Sequence, residues 1–362
     1  MPALFDSLPP IYRSLLPQTF ETNVADESKA TCSNCAMCSS NRQSLPGEDS
    51  TFFEPNVKCC TFHPSLPNFL VGAILADSSV NKETGRNRIQ EKLASRIGVT
   101  PYGIAAPAKY TMLYGNTREF FGRSRAMRCP YYVDEGGGLC SIWAYREAVC
   151  STYFCKHVAG ADGRRFWMSL KSYLALIEQQ LSRYAIFKLY PEYLLTGRHP
   201  ADPPARKLDR EELEDLPPSE KTYSRLWESW TGMEREFFIE CHQLVSSLKE
   251  EEVRDILGID GEISLTSMKK NLRDMQAPRL PEKLKINQDL TLKWLTTGEV
   301  VLGAYSELDA LALPASAFPL LQEFRGDQTV SEVRQKLRSE KQTDFADEVL
   351  LSLYQHRVLE KV

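Results

Sequence analysis

Nine of the ten cysteines fall between Cys32 and Cys155, and only Cys241 lies beyond them. Thiolates are soft metal ligands, and crowded thiols in a reducing compartment point to metal before disulfides. The sharpest local pattern is Cys32-Ser-Asn-Cys35-Ala-Met-Cys38, three cysteines with two residues between neighbours. A loop of that spacing wraps three sulfurs around one corner of a cubane cluster. Zinc sites more often pair two C-x2-C knuckles around a tetrahedral ion. The triplet therefore favours iron-sulfur over zinc, with Cys32, Cys35 and Cys38 on one centre.

A fourth ligand is offered by Lys58-Cys59-Cys60-Thr61-Phe62-His63-Pro64. Adjacent cysteines point in different directions, so one of Cys59 and Cys60 is expected at a given centre. His63 has the chemistry of a nitrogen ligand, although a lone histidine before proline is more often structural. A second group holds Cys129, Cys140, Cys150 and Cys155 around a Gly136-Gly137-Gly138 turn. Two partitions fit: Cys32, Cys35 and Cys38 with Cys59 or Cys60 as one centre and Cys129, Cys140, Cys150 and Cys155 as another, or ligands shared between the two groups. One or two clusters, 4Fe-4S by preference, or zinc instead, are the cofactors expected. Arg146, Lys156, Arg164 and Arg165 offset thiolate charge or are ordinary surface charges. Tyr131, Tyr132, Trp143 and Tyr153 shield a cluster or simply pack the core. Cys241 shares an apolar helical stripe with Phe237, Leu244 and Val245 and reads as core.

These ligands need elements to place them. The chain has 362 residues and a net charge of −4, enough to bury a core and without the basic excess of a polyanion binder, so no nucleic acid partner is expected. Residues 1–20 lack a basic n-region, and Pro9, Pro10 and Pro17 interrupt any apolar stretch. No window suits a membrane span, so a soluble cytoplasmic protein is expected. From Arg165 to Leu189, Trp167, Leu170, Tyr173, Leu174, Ile177, Leu181 and Tyr184 recur at helical spacing. Prolines and charges mark residues 199–222 as a linker. Helical periodicity returns between Leu226 and Leu248, with Gly258 as a stop. Strand-like runs at 290–295 and 300–305 turn at Gly298, and three helical patterns follow at 315–324, 329–337 and 345–356. The expected class is mainly α: an irregular cysteine-rich metal-binding domain with helices at 1–198, a helical middle segment at 223–285, and a small α+β winged-helix domain at 290–362.

Two resemblances bear on function. Cys129, Gly138-x-Cys140-Ser141-Ile142-Trp143, Arg146-Glu147-x-x-Cys150 and Tyr153-x-Cys155 resemble the YkgJ-like cysteine-cluster family of zinc- or iron-chelating proteins over residues 31–160. Glu147 stands where that family has proline, and Ser151 where it has arginine. The resemblance implies metal binding. Residues 292–362 look like the PqqD-like winged-helix module, on Leu313-Pro314-Ala315-Ser316-Ala317-Phe318, the run from Phe324 to Val333, and the last helix. That likeness implies recognition of an extended peptide along a sheet edge. An iron-sulfur protein of peptide or protein modification, with a peptide or protein substrate on its C-terminal domain, is the first expectation. A non-catalytic metal or electron-transfer protein with a redox partner, or a zinc-stabilised scaffold, is the alternative.

Overall fold

The computed structural model describes residues 3–27, 35, 37–38, 53–195 and 210–362. The chain is mainly helical with small sheets, the class expected. It divides into two units: Met1–Asn23, Lys29–Tyr153 and Leu170–Leu265 in the first, and Val24–Ser28, Phe154–Ser169 and Thr266–Val362 in the second. Both units are discontinuous, unlike the consecutive segments read from the sequence. Cys32 and residues 199–209 of the expected linker lie outside the described residues.

In the first unit β1 (Leu66–Pro67) leads into α1 (Asn68–Ala76), followed by α2 (Glu83–Ser95), β2 (Val99–Thr100), β3 (Gly103–Ile104) and α3 (Ala108–Asn116). The three strands pair antiparallel in the order β1-β3-β2. A hairpin of β4 (Tyr132–Val133) and β5 (Leu139–Cys140) precedes α4 (Ala148–Thr152) and the long α5 (Gly160–Leu189), which belongs to this unit from Leu170 onward. Then come α6 (Pro191–Leu195), α7 (Arg210–Leu213), α8 (Glu220–Trp227), α9 (Glu234–Ser246) and α10 (Glu250–Gln276), the last of which belongs to this unit as far as Leu265.

Residues 68–75 of α1 are buried without exception, as a helix apolar on all sides must be. Its Asn68 amide donates to the carbonyls of Pro101 and Ser182, 3.0 and 3.1 Å away, fixing the helix against the strand turn and α5. Gly72 lets α1 approach α9 backbone to backbone, since a Cβ there would lie 1.8 Å from the Phe238 carbonyl oxygen.

The periodic run from Leu226 to Leu248 is not one helix. The chain leaves helical geometry between α8 and α9, where Glu228 and Gly232 take positive φ of 44° and 81°. Trp227 then packs edge-on against Phe237 and Phe238, with ring centres 5.4 and 5.7 Å apart. Cys241 is fully buried on the same face of α9, the core position expected for it. Gly258 is the helix stop expected of it: at φ 56°, ψ −148° it leaves helical geometry, and the rest of α10 is a second helix that begins directly after this kink.

The second unit contains β6 (Leu284–Ile286), β7 (Thr291–Trp294), β8 (Glu299–Gly303), β9 (Leu311–Pro314), α11 (Phe318–Leu321), α12 (Val330–Lys341), α13 (Asp347–Gln355) and β10 (Leu359–Lys361). One antiparallel sheet runs β7-β8-β9, and β6 pairs with β10. Leu284, Val300, Leu302, Phe324, Leu337, Leu350 and Val358 fill its core. Thr329 caps α12 through a reciprocal pair: its hydroxyl accepts from the Glu332 N–H, and the Glu332 carboxylate accepts from the Thr329 N–H at 2.7 Å. Among the described residues no helix is long and apolar enough to cross a membrane.

Gly72→Ala forces a methyl into the Phe238 carbonyl and is expected to destabilise the protein by about 3 kcal/mol in urea unfolding. Gly115→Ala on α3, where an added Cβ meets nothing within 4 Å, should be neutral or slightly stabilising. Equal effects from the two substitutions would refute the close α1–α9 approach.

Candidate metal centre

The site is assembled from a turn, a hairpin and a short helix of the first unit. Residues 54–60 coil through bonds from the Val57, Lys58 and Cys60 N–H groups to Glu54, Glu54 and Val57. Lys58 sits in that turn at a positive φ of 54°. Beside it, the Cys129 N–H donates to the Cys60 carbonyl at 2.6 Å, so the turn and the start of the second cysteine group are neighbours. Tyr132 pairs with Cys140 across the hairpin. Its loop uses Gly136, Gly137 and Gly138 at φ of 63°, 80° and 91°, a succession of left-handed residues that side chains would strain. The loop turns carbonyls inward. Lys58, only 4 % exposed, donates its ammonium to those of Gly137 and Gly138.

Glu147 begins α4, its carboxylate accepting from the Val149 and Cys150 N–H groups at 2.6 and 2.8 Å. It thus caps the helix that presents Cys150. Glu178 accepts from the Ala148 N–H at 2.7 Å and from the Tyr12 hydroxyl. Buried Arg146 stacks on Trp143, 3.3 Å from the ring centre, and donates to the carbonyls of Trp143 and Cys150. On the remaining side, the Cys38 N–H donates to Cys35 at 3.1 Å and Cys38 bridges to Phe53.

The thiols feel one another. Burial pushes Cys129 up, and the neighbouring Cys140 and Cys60 push it further. Cys150 is raised well above the usual thiol range by burial, then by Glu147 and Cys129. Burial and then Cys35 carry Cys38 up to about 12. Cys60 goes the other way: a hydrogen bond from Cys59 lowers it, burial opposes, and Lys58 and Arg146 add to the lowering. Lys92 of α2 is held below its usual range by burial, against the attraction of Cys129.

Cys59, Cys60, Cys129, Cys140 and Cys150 are thus drawn into one neighbourhood, and Cys38 adjoins it, since Tyr132 senses both Cys38 and Cys60. The two sequence groups interleave through Cys60 and Cys129. Cys155 is buried in the second unit, on a segment held there by Glu27, which accepts from the Val158 N–H and the Trp167 indole, and by Asp309, which accepts from the His157 N–H. Arg164 and Arg165 bind the Tyr305 carbonyl and Asp162 in that unit. Among the described residues no three or more histidine, cysteine, aspartate or glutamate side chains are gathered around one point for an ion. Sequence reasoning missed Lys58, Glu147, Glu178 and Lys92 as parts of the site; only Lys58, adjoining the cysteine pair, carried a local signal. No family model, curated protein or solved structure matches the chain.

In metal-free protein the thiol held lowest should react first, because the thiolate is the nucleophile. At a pH of about 8, iodoacetamide is expected to label Cys60 ahead of Cys129 and Cys150, as read by peptide mass spectrometry over time. Faster labelling of Cys129 or Cys150 would contradict the electrostatics described.

Proposed function

We propose that the cysteine pocket of the first unit holds an iron-sulfur cluster and that the chain acts in peptide or protein modification. The observation that supports this is a chain of neighbouring thiols, in which Cys129 feels Cys60 and Cys140 and Cys150 feels Cys129 and Cys140, beside two buried cations, Lys58 and Arg146, that act on Cys60. Both cations lower the Cys60 thiol, and nearby cations favour an anionic, thiolate-bound cluster. Those four cysteines are the main ligand candidates, with Cys59, Cys35 and Cys38 beside them. Cys32 and Cys155 remain candidates on the sequence pattern. The raised pKa values of Cys38, Cys129 and Cys150 keep those thiols protonated until a metal replaces the protons. When bound, the cluster supplies one-electron chemistry or a Lewis-acidic iron. The protein's part is to shield it with Tyr110, Tyr131 and Tyr132 and to balance its charge. Purified without oxygen, the protein is expected to be coloured and to carry iron and acid-labile sulfide, both falling by at least half in Cys129→Ser and Cys150→Ser. Colourless protein carrying zinc alone supports the scaffold reading and contradicts this one.

The second unit supports a PqqD-like, winged-helix reading in its strand order and its three helices after β9. β7 is an edge strand exposed along its whole length, with Leu292 and Trp294 43 % and 56 % exposed. An edge of this kind offers unpaired backbone groups to an extended peptide, which would add as a strand. The full-length chain is therefore expected to bind a peptide encoded beside its gene, by calorimetry, with affinity at least tenfold weaker in Leu292→Pro, whose N–H points away from β8. Absence of binding across a panel of such peptides would remove the recognition role.

A further inference from the structure

His63 is only 5 % exposed. Its Nδ1 lies 3.0 Å from the Pro64 carbonyl. A carbonyl only accepts, so Nδ1 carries the proton and Nε2 carries a bare lone pair. That Nε2 is shielded from solvent and has no hydrogen-bond partner. Buried polar atoms are almost always satisfied, so an orphaned imidazole nitrogen asks for a ligand. The ring lies beside Tyr110 and Tyr131, with centres 5.4 and 6.1 Å away. Tyr131 feels Cys129 and Cys140, and Tyr110 feels Cys129 and Cys150, so the same two tyrosines border the imidazole and the thiols. Three residues upstream, the Cys60 carbonyl accepts from Cys129.

We infer that His63 is a nitrogen ligand of the metal centre through Nε2, joining the cysteines as a mixed sulfur and nitrogen donor set; this rests on the metal reading above. The arrangement is the usual one for a ligating histidine, whose second nitrogen is fixed by a carbonyl that sets tautomer and ring orientation. The Cys-Cys-x-x-His spacing places this nitrogen one turn of chain from the thiol pair, on a segment already tied to Cys129.

The test uses the full-length chain purified without oxygen from cells fed 15N-histidine, reduced with dithionite and examined by pulsed electron paramagnetic resonance. The expected result is a histidine nitrogen coupling in the wild-type spectrum that is lost in His63→Gln, which keeps a polar side chain of similar bulk, and in His63→Ala. Circular dichroism checks that both variants remain folded. A cluster with no histidine coupling, or with a coupling that survives in His63→Gln, overturns the assignment of His63 and leaves the iron-sulfur reading standing. Protein without iron and sulfide overturns both.

Discussion

The buried ammonium of Lys58 is the constraint around which the first unit's site is arranged. Desolvating an ammonium costs several kcal/mol unless strong acceptors replace water, and here the acceptors are carbonyls of Gly137 and Gly138. The hairpin loop can offer them only because three consecutive glycines tolerate left-handed backbone. One hydrogen-bonded side chain thereby joins the turn bearing Cys59 and Cys60 to the hairpin bearing Cys140. Arg146, stacked on Trp143 and bonded to the Cys150 carbonyl, brings a second cation to the same thiols. Two buried cations beside these thiols favour the anionic, thiolate-bound centre we propose.

The acids behind the pocket have a different role. Glu147 and Glu178 are both raised above the usual carboxyl range, chiefly by burial, and each is occupied with backbone N–H groups at the start of α4. They hold Cys150 in place and link it to α5 and, through Tyr12, to the N-terminal segment. The carboxyl groups thus position a thiol, and glutamate at 147 has a local structural reason: the N-cap needs a side-chain acceptor.

Legibility followed the range of the interactions. The amphipathic face of α5 and the Gly298 turn depend on residues a few positions apart, and the sequence shows them. The fully buried α1 was passed over because a continuously apolar run has no period to read. The break between α8 and α9 was hidden by an apolar stripe that continues in phase across it. At the site, the cysteine crowding was plain, but the pairing of Cys60 with Cys129 and the reach of Lys58 to Gly137 join positions far apart in the chain. No local pattern encodes them. The glycine run shows the same limit: it reads as a turn, while its use as a cage for an ammonium depends on what lies across the fold.

The central claim is that thiols from both sequence groups meet at one iron-sulfur centre. Iron K-edge X-ray absorption on anaerobically purified protein tests it most directly, with Cys60→Ser and Cys140→Ser measured alongside. The account predicts iron with both sulfur and iron neighbours in the wild type, and loss of the iron–iron signal when a cysteine of either group is replaced. Absence of an iron–iron signal from the wild type, or its survival in both variants, would contradict it.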